Sequence, residues 1–327
     1  MRLDPTQPGI GPLLSIRNRA ALRSLIAVTS ASAKRGFMKA MVLRALRTAL
    51  PLLALAGTSE TRVVAGAGSF PPANLVLNDA EARQRIEAAL PTKAIVPPRR
   101  PRRLLLFDLN VGYGGHPSAG YANYAFTRIG EKTGAYQAVT SHDPAVFAAD
   151  SLSQFDAVFF NNTVGNLFTD PVLRQNLVRF VYRGGGLLGV HGTSVAFTQW
   201  PGALEDWPEF GLMLGARGAN HRENTERVTL AVEDPDHPLT RVFPRHGFEY
   251  RDEFFRVHEP YSRQRVRVLL RIDTNRTDLA QGRGFGNLER PDGDFALAWV
   301  RNYGRGRTFY CTIAHNPYVF WDARMLE

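Results

Sequence analysis

Residues 103–109 read Arg103-Leu-Leu-Leu-Phe-Asp-Leu109, an apolar run without the alternation of a half-solvated strand and too short for an ordinary helix. Such a run is stable as a strand only where both faces of its sheet are covered. The sequence that follows supplies the covers. Ser118, behind Pro117, can start a helix reaching about Lys132, which Gly134 stops. Residues 136–140 and 156–161 are two further short strand candidates, and Thr169-Asp170-Pro171 joins an acidic cap to a proline at the first helical position. The helix begun there shows Leu173, Leu177, Phe180 and Val181 on one face, ends at Gly184-Gly-Gly186, and precedes a buried strand at 187–190. Strands alternating with helices in this way imply right-handed crossovers, hence an α/β fold with a doubly wound, mostly parallel sheet. Residues 227–232, 248–255, 266–272, 295–301 and 308–313 read as strands with little helix between them. They are expected as later, partly antiparallel additions to the same sheet, and no internal repeat is visible.

The first hundred residues have a different character. Of the chain's 40 Lys and Arg and 30 Asp and Glu, residues 1–103 hold 17 and 5, which leaves 23 and 25 for residues 104–327. The net charge of +10 therefore belongs to the amino-terminal part, and the nearly neutral remainder does not suggest a phosphate-neutralising face. No nucleic-acid partner is expected. Residues 1–56 are expected to be a targeting leader. Met38 or Met41 opens a signal-like stretch in which Lys39, Arg44 and Arg47 precede the apolar residues 48–56, closing on Ala54-Leu55-Ala56. Residues 1–37 would then be translated upstream sequence, and the protein would be secreted or periplasmic. A transit peptide, or an unstructured extension of a cytoplasmic protein, is the alternative. The apolar stretch is far below the ~20 residues that span a bilayer. Residues 57–101 are expected to be a linker with one short helix capped at Asn78-Asp79, ended by Pro97-Pro-Arg-Arg-Pro101, so that the folded domain covers 102–327.

Four of the eight histidines fall at telling places. His116 follows the first strand within a glycine-rich turn, His191 closes Gly184-Gly-Gly-Leu-Leu-Gly-Val190, and His315 follows residues 308–314. His221 ends the small-residue segment 214–220. In an open α/β sheet, side chains just past the strand ends converge on the crevice where ligands bind. Any one of these histidines could be a satisfied core or surface residue; three strand ends carrying one is harder to explain so. His142, His237, His246 and His258 have no such placement. Imidazole either transfers protons near neutrality or binds a divalent metal, and no local metal motif decides between the two. A zinc-like ion on His191, His221 and His315 is one expectation, and chemistry without a metal is the other. Asp252 and Glu253 point to opposite faces of a strand, so only one can reach the crevice. Asn162 trails the third strand into the same region as a donor to a ligand hydroxyl or carbonyl.

The turn at His191 has the strand, glycine and helix setting of a nucleophile elbow, but no Ser or Cys stands there. The single cysteine, Cys311, lies within an apolar run and reads as an inert thiol. Phosphate-loop and dinucleotide signatures are absent. Trp200, Trp207 and Trp321, with Tyr318 and Phe320, follow His191 and His315 and could offer aromatic faces to a sugar ring, although packing is their commoner use.

At these residues the chain resembles the ThuA-like family, named for trehalose utilisation. The resemblance rests on Gly184-Gly-Gly-Leu-Leu-Gly-Val-His-Gly192, Trp207-Pro-Glu-Phe-Gly-Leu-Met-Leu-Gly-Ala-Arg217 with His221, Glu233-Asp-Pro-Asp-His-Pro238, residues 249–255, and Ala298-Trp-Val-Arg-Asn-Tyr-Gly-Arg-Gly-Arg307 with His315. These run in the family's order over about residues 102–322. The resemblance implies a flavodoxin-like sheet of the class I glutamine amidotransferase type, with His191 where those enzymes carry their cysteine. It also implies a further carboxy-terminal helix, which would begin where this chain stops at Glu327. Action on sugars, particularly oxidised (3-keto) glycosides, is what it implies for function. The combined expectation is an enzyme with His191, His221 and Glu253 as catalytic groups and His116, Asn162, Asp252, His315 and Trp207 binding a small carbohydrate. A non-catalytic carbohydrate-binding or sensing protein using the same cleft is the alternative. The sequence leaves homo-oligomerisation open.

Overall fold

The computed structural model describes residues 77–199, 205–286 and 288–327. The expected leader, residues 1–56, lies outside them, as do residues 57–76 of the linker and Trp200. The described chain runs α1 (Ala80–Ala89), β1 (Arg103–Phe107), α2 (Ala119–Thr133), β2 (Gln137–Ser141), α3 (Ala149–Leu152), β3 (Ala157–Asn161), α4 (Pro171–Tyr182) and β4 (Gly186–Val190). It continues through α5 (Pro208–Leu214), β5 (Arg217–Gly218), β6 (His221–Arg222), β7 (Glu226–Val232), β8 (Phe248–Asp252), β9 (Val257–His258) and β10 (Arg267–Ile272). The last elements are β11 (Gly284–Phe285), β12 (Ala296–Tyr303), β13 (Gly306–Cys311) and α6 (Ala323–Leu326).

Nine strands form one sheet in the order β2-β1-β3-β4-β13-β12-β10-β7-β8. The first five are mutually parallel. From β13 onward every neighbour is antiparallel, as expected for the later strands. Because β2 and β3 lie on opposite sides of β1, the chain reverses its direction of travel across the sheet there, which puts the loops after β1 and β3 where ligand crevices form in such sheets.

Side-chain alternation feeds two separate cores. Leu104 and Leu106 pack with Ala122 and Ala125 of α2 on one face, whereas Leu105 and Phe107 pack with Leu177 and Val181 of α4 and Phe210 and Met213 of α5 on the other. This is the double cover that the apolar run of β1 demands, each buried Leu or Phe contributing about 1.5–3 kcal/mol. The caps read from sequence are in place: the Asp170 side chain accepts from Val172 N at 2.7 Å, and Gly134 ends α2 in the left-handed conformation.

The helix expected within the linker is α1, started by Asp79, whose carboxylate accepts from Ala82 N at 3.0 Å. It is docked on the domain. Ile86 is fully buried in the same core as α2, and the Tyr124 hydroxyl donates to Glu87 Oε1 at 2.9 Å. Among the described residues no helix is long and apolar enough to cross a membrane.

Candidate functional site

The crevice is built on the elbow after β4. His191 takes φ +44°, a left-handed conformation that costs a non-glycine residue about 1–3 kcal/mol and persists only where the surroundings enforce it. The enforcement is visible. Tyr310 donates its hydroxyl to the His191 carbonyl at 2.8 Å, and His191 Nδ1 lies 2.8 Å from the Thr312 carbonyl. That carbonyl can only accept, so Nδ1 carries the proton and Nε2 presents its lone pair to the crevice.

Two further loops bring imidazoles to the same point. The rings of His116 and His191 lie 4.7 Å apart, those of His191 and His315 5.1 Å, and those of His116 and His315 5.4 Å. His116 reaches this position because position 192 has no side chain: a Cβ there would stand 2.6 Å from His116 Cε1. The His116 Nδ1 is directed at the Asn162 carbonyl, 3.3 Å away. Burial, reinforced by neighbouring imidazoles, pushes His116 and His191 well below the usual histidine range, and burial lowers His315 too.

Glu253 supplies the carboxylate. Its Oε1 lies 3.3 Å from His191 Nε2, and its Oε2 lies 3.3 Å from His221 Nδ1 and 3.8 Å from His315 Nε2. Burial raises its pKa, against the pull of His315 and His221. His191 and His221, distant in sequence, thus share one carboxylate. Phe255 separates their rings, at 4.9 Å from His191 and 5.2 Å from His221.

Asp252 takes the opposite side, as alternation requires, and does not line the crevice. It is fully buried, and its oxygens accept from His315 N and Asn316 N at 3.1 Å and from Asn316 Nδ2 at 2.7 Å. Burial pushes it up to about 7 against those three donors. Its part is to fix the loop that carries His315, in place of the ligand contact expected of it.

Asn162 also departs from expectation. It is fully buried with φ +55°, and its amide donates to Ser118 Oγ at 3.1 Å and the Ala314 carbonyl at 3.2 Å, ahead of any ligand. Ser118 in turn donates to that carbonyl at 2.5 Å, so Asn162 ties the loops after β1, β3 and β13 together. Beneath it, Asn161 donates to Asn123 Oδ1 and Asn123 to Asp108 Oδ2, at 2.9 and 2.7 Å.

Trp207 is a packing residue. It lies against Phe168, Phe197 and Phe210 in the core on the α4 face, with the Arg174 guanidinium 5.2 Å from its ring. Trp321 packs on Tyr121, and Phe320 is buried in the other core. Two aromatics that the sequence reading passed over stand at the site instead. Tyr113 lies 5.1 Å from the His116 ring, and burial and the Glu253 charge raise its hydroxyl. Phe285, exposed on β11, lies 5.3 Å from the His221 ring because β11 pairs with β6. Each follows a glycine, a small residue that gave no periodicity to mark it.

His221 is absent from the one group of His, Cys, Asp and Glu side chains with metal-ligand spacing among the described residues, which is His116, His191 and His315. The ring expected to join the other two points its Nδ1 at the Arg222 carbonyl, 2.7 Å away, and meets them through Glu253 and Phe255. Cys311 offers no nucleophile, since burial pushes its thiol up to about 12.

The fold has solved relatives. A ThuA-like protein of Bacteroides uniformis matches with a TM-score of 0.53 at 20% identity, over 72% of this chain and 91% of that one. A ThuA-like protein of Parabacteroides merdae gives 0.48 at 18% identity, over 69% and 88%. No curated protein sequence matches the chain. A family model described as trehalose utilisation matches residues 103–327, and the chain therefore belongs to the ThuA family.

Proposed function

We propose that this protein is a carbohydrate-processing enzyme that cleaves oxidised (3-keto) glycosides by proton transfer, without a covalent nucleophile. The observation that carries the reading is Glu253, a carboxylate of raised pKa that touches three imidazoles in a buried crevice. Membership of a family described by trehalose utilisation supports a sugar as the substrate class.

A carbonyl at C3 of a sugar acidifies the hydrogen on C2, which a base of raised pKa can remove at neutral pH. Glu253 takes that proton as the C2–H bond breaks. The electron pair forms a C1–C2 double bond while the C1–O bond to the leaving sugar breaks. His221, whose side chain is more exposed than those of His191 and His315, returns a proton to the departing oxygen. Phe285, beside His221 at the mouth, offers a face for the leaving ring.

The test is turnover of a 3-keto disaccharide and of its unoxidised parent by the purified protein, with binding of each followed by calorimetry. Release of the free sugar from the keto substrate alone, abolished in Glu253→Gln, is the expected result. Binding of either sugar with no turnover by the wild type would overturn the enzyme reading and leave a carbohydrate-binding protein.

A further inference from the structure

We propose that His116, His191 and His315 form a site for one divalent transition-metal ion of the zinc class, with Glu253 beside it. The inference shares its cleft with the proposed function and rests on that reading only for what the ion would do, since ion binding is measured without substrate.

One ligand nitrogen from each ring lies within 4.8 Å of the others. Tetrahedral coordination at about 2.0–2.1 Å places ligand nitrogens about 3.3 Å apart, so modest ring rotations close the site. The rings meet nearly edge to face, at 74–88°, and so converge without stacking.

Two of the rings are held as metal-binding histidines are. His191 and His116 direct Nδ1 at the backbone carbonyls of Thr312 and Asn162, which fixes the tautomer and turns Nε2 inward as a lone-pair donor. That leaves polar atoms without partners. His191 Nε2 and His315 Nδ1 are both buried with no hydrogen bond, an arrangement that is costly unless something fills it. A proton on each imidazole is a poor filler, because three imidazolium rings would face one another at about 5 Å in a buried setting. A shared cation satisfies all three lone pairs together. Glu253, 3.3 Å from His191 Nε2, supplies negative charge on the same side.

The donor chemistry selects the ion. Neutral imidazole suits zinc and its first-row neighbours, whereas calcium and magnesium require oxygen ligands. When bound, such an ion polarises a substrate carbonyl or lowers the pKa of a bound water. The ligand set differs from the one the sequence suggested, because His221 lies across Glu253 from the cluster.

The full-length protein is stripped with a chelator, titrated with zinc chloride, and assayed for bound metal by elemental analysis and for its thermal unfolding midpoint. One zinc per chain and a raised midpoint are expected. His315→Gln, at the more accessible edge of the cluster, weakens zinc at least about a hundredfold, because losing only the group that orients a ligand already costs about 10–100-fold. His116→Gln does the same, and His221→Gln leaves the stoichiometry intact. Absence of stoichiometric zinc, or loss of zinc in His221→Gln with retention in His315→Gln, overturns the assignment. Turnover by zinc-free protein would remove the ion from the reaction while the enzyme reading stands; zinc bound without turnover would do the reverse.

Discussion

Glu253 Oε1 lies 3.3 Å from His191 Nε2, a nitrogen that has no hydrogen-bond partner of its own. Replacing the carboxylate by an amide of the same shape removes the base and keeps the packing. Glu253→Gln is expected to lower kcat on a 3-keto disaccharide by about 10²–10⁴-fold with little change in KM. Steady-state kinetics, with circular dichroism to check the fold, measures this; a variant retaining more than a tenth of the wild-type kcat would remove Glu253 from the reaction.

Gly192 and His116 form a second constraint. Gly192→Ala sets a methyl group 2.6 Å from His116 Cε1 and 3.0 Å from Val164 Cγ2, so the ring must leave its place. Urea unfolding should show a loss of about 1–3 kcal/mol, the usual cost of overpacking. Turnover should fall by more than the stability loss explains.

Asp252 gives the domain a pH signature. A carboxyl that holds its proton up to about 7 when folded, but releases it near 3.8 when unfolded, makes the folded state bind more protons between those values. Its stabilising contribution is full on the acid side and is lost as pH rises towards 7. Relative to Asp252→Asn, the wild type should lose up to about 1.4 kcal/mol per pH unit across that window. Urea midpoints of both proteins from pH 4.5 to 8 test the slope; parallel curves would refute it.

The docking of α1 is open to a single substitution. Ile86 is fully buried against α2, and Ile86→Ala should cost the whole domain about 2–5 kcal/mol in one cooperative transition. An unchanged midpoint would mean that the helix is a passive connector.

Trp207 and Phe285 separate packing from recognition. Trp207→Phe should lower stability by about 0.5–3 kcal/mol with KM unchanged. Phe285→Ala should leave stability alone and raise KM by about two- to tenfold, the worth of one aromatic contact. The reverse pattern, by thermal unfolding and kinetics, would return Trp207 to the site.

The strands and principal helices were legible because local chemistry specifies them. The run at β1, the Asp170-Pro171 start of α4 and Gly134 at the end of α2 each carry their own signal. The convergence of His116, His191 and His315 was legible only as a consequence of topology, through their places after β1, β4 and β13. What stayed hidden depends on contacts between distant segments. Alternation showed that Asp252 and Glu253 must part, but which one meets the crevice is set by the bonds from His315 and Asn316 to Asp252. Asn162 has the residue type of a ligand donor, yet its amide is consumed by Ser118 and Ala314, some 44 and 152 residues away along the chain. Trp207 looked available because nothing local revealed that Arg174 and Phe197 cover it.

β13 is the line along which the sheet changes character, parallel to β4 on one side and antiparallel to β12 on the other. The clustered side chains are recruited from both territories: His116 and His191 from the parallel one, His221 and Glu253 from segments flanking antiparallel strands, and His315 from the border itself. A chain with only one territory assembled would hold only part of this cluster. The cluster is therefore complete only when both territories have closed on β13, and neither half carries it alone.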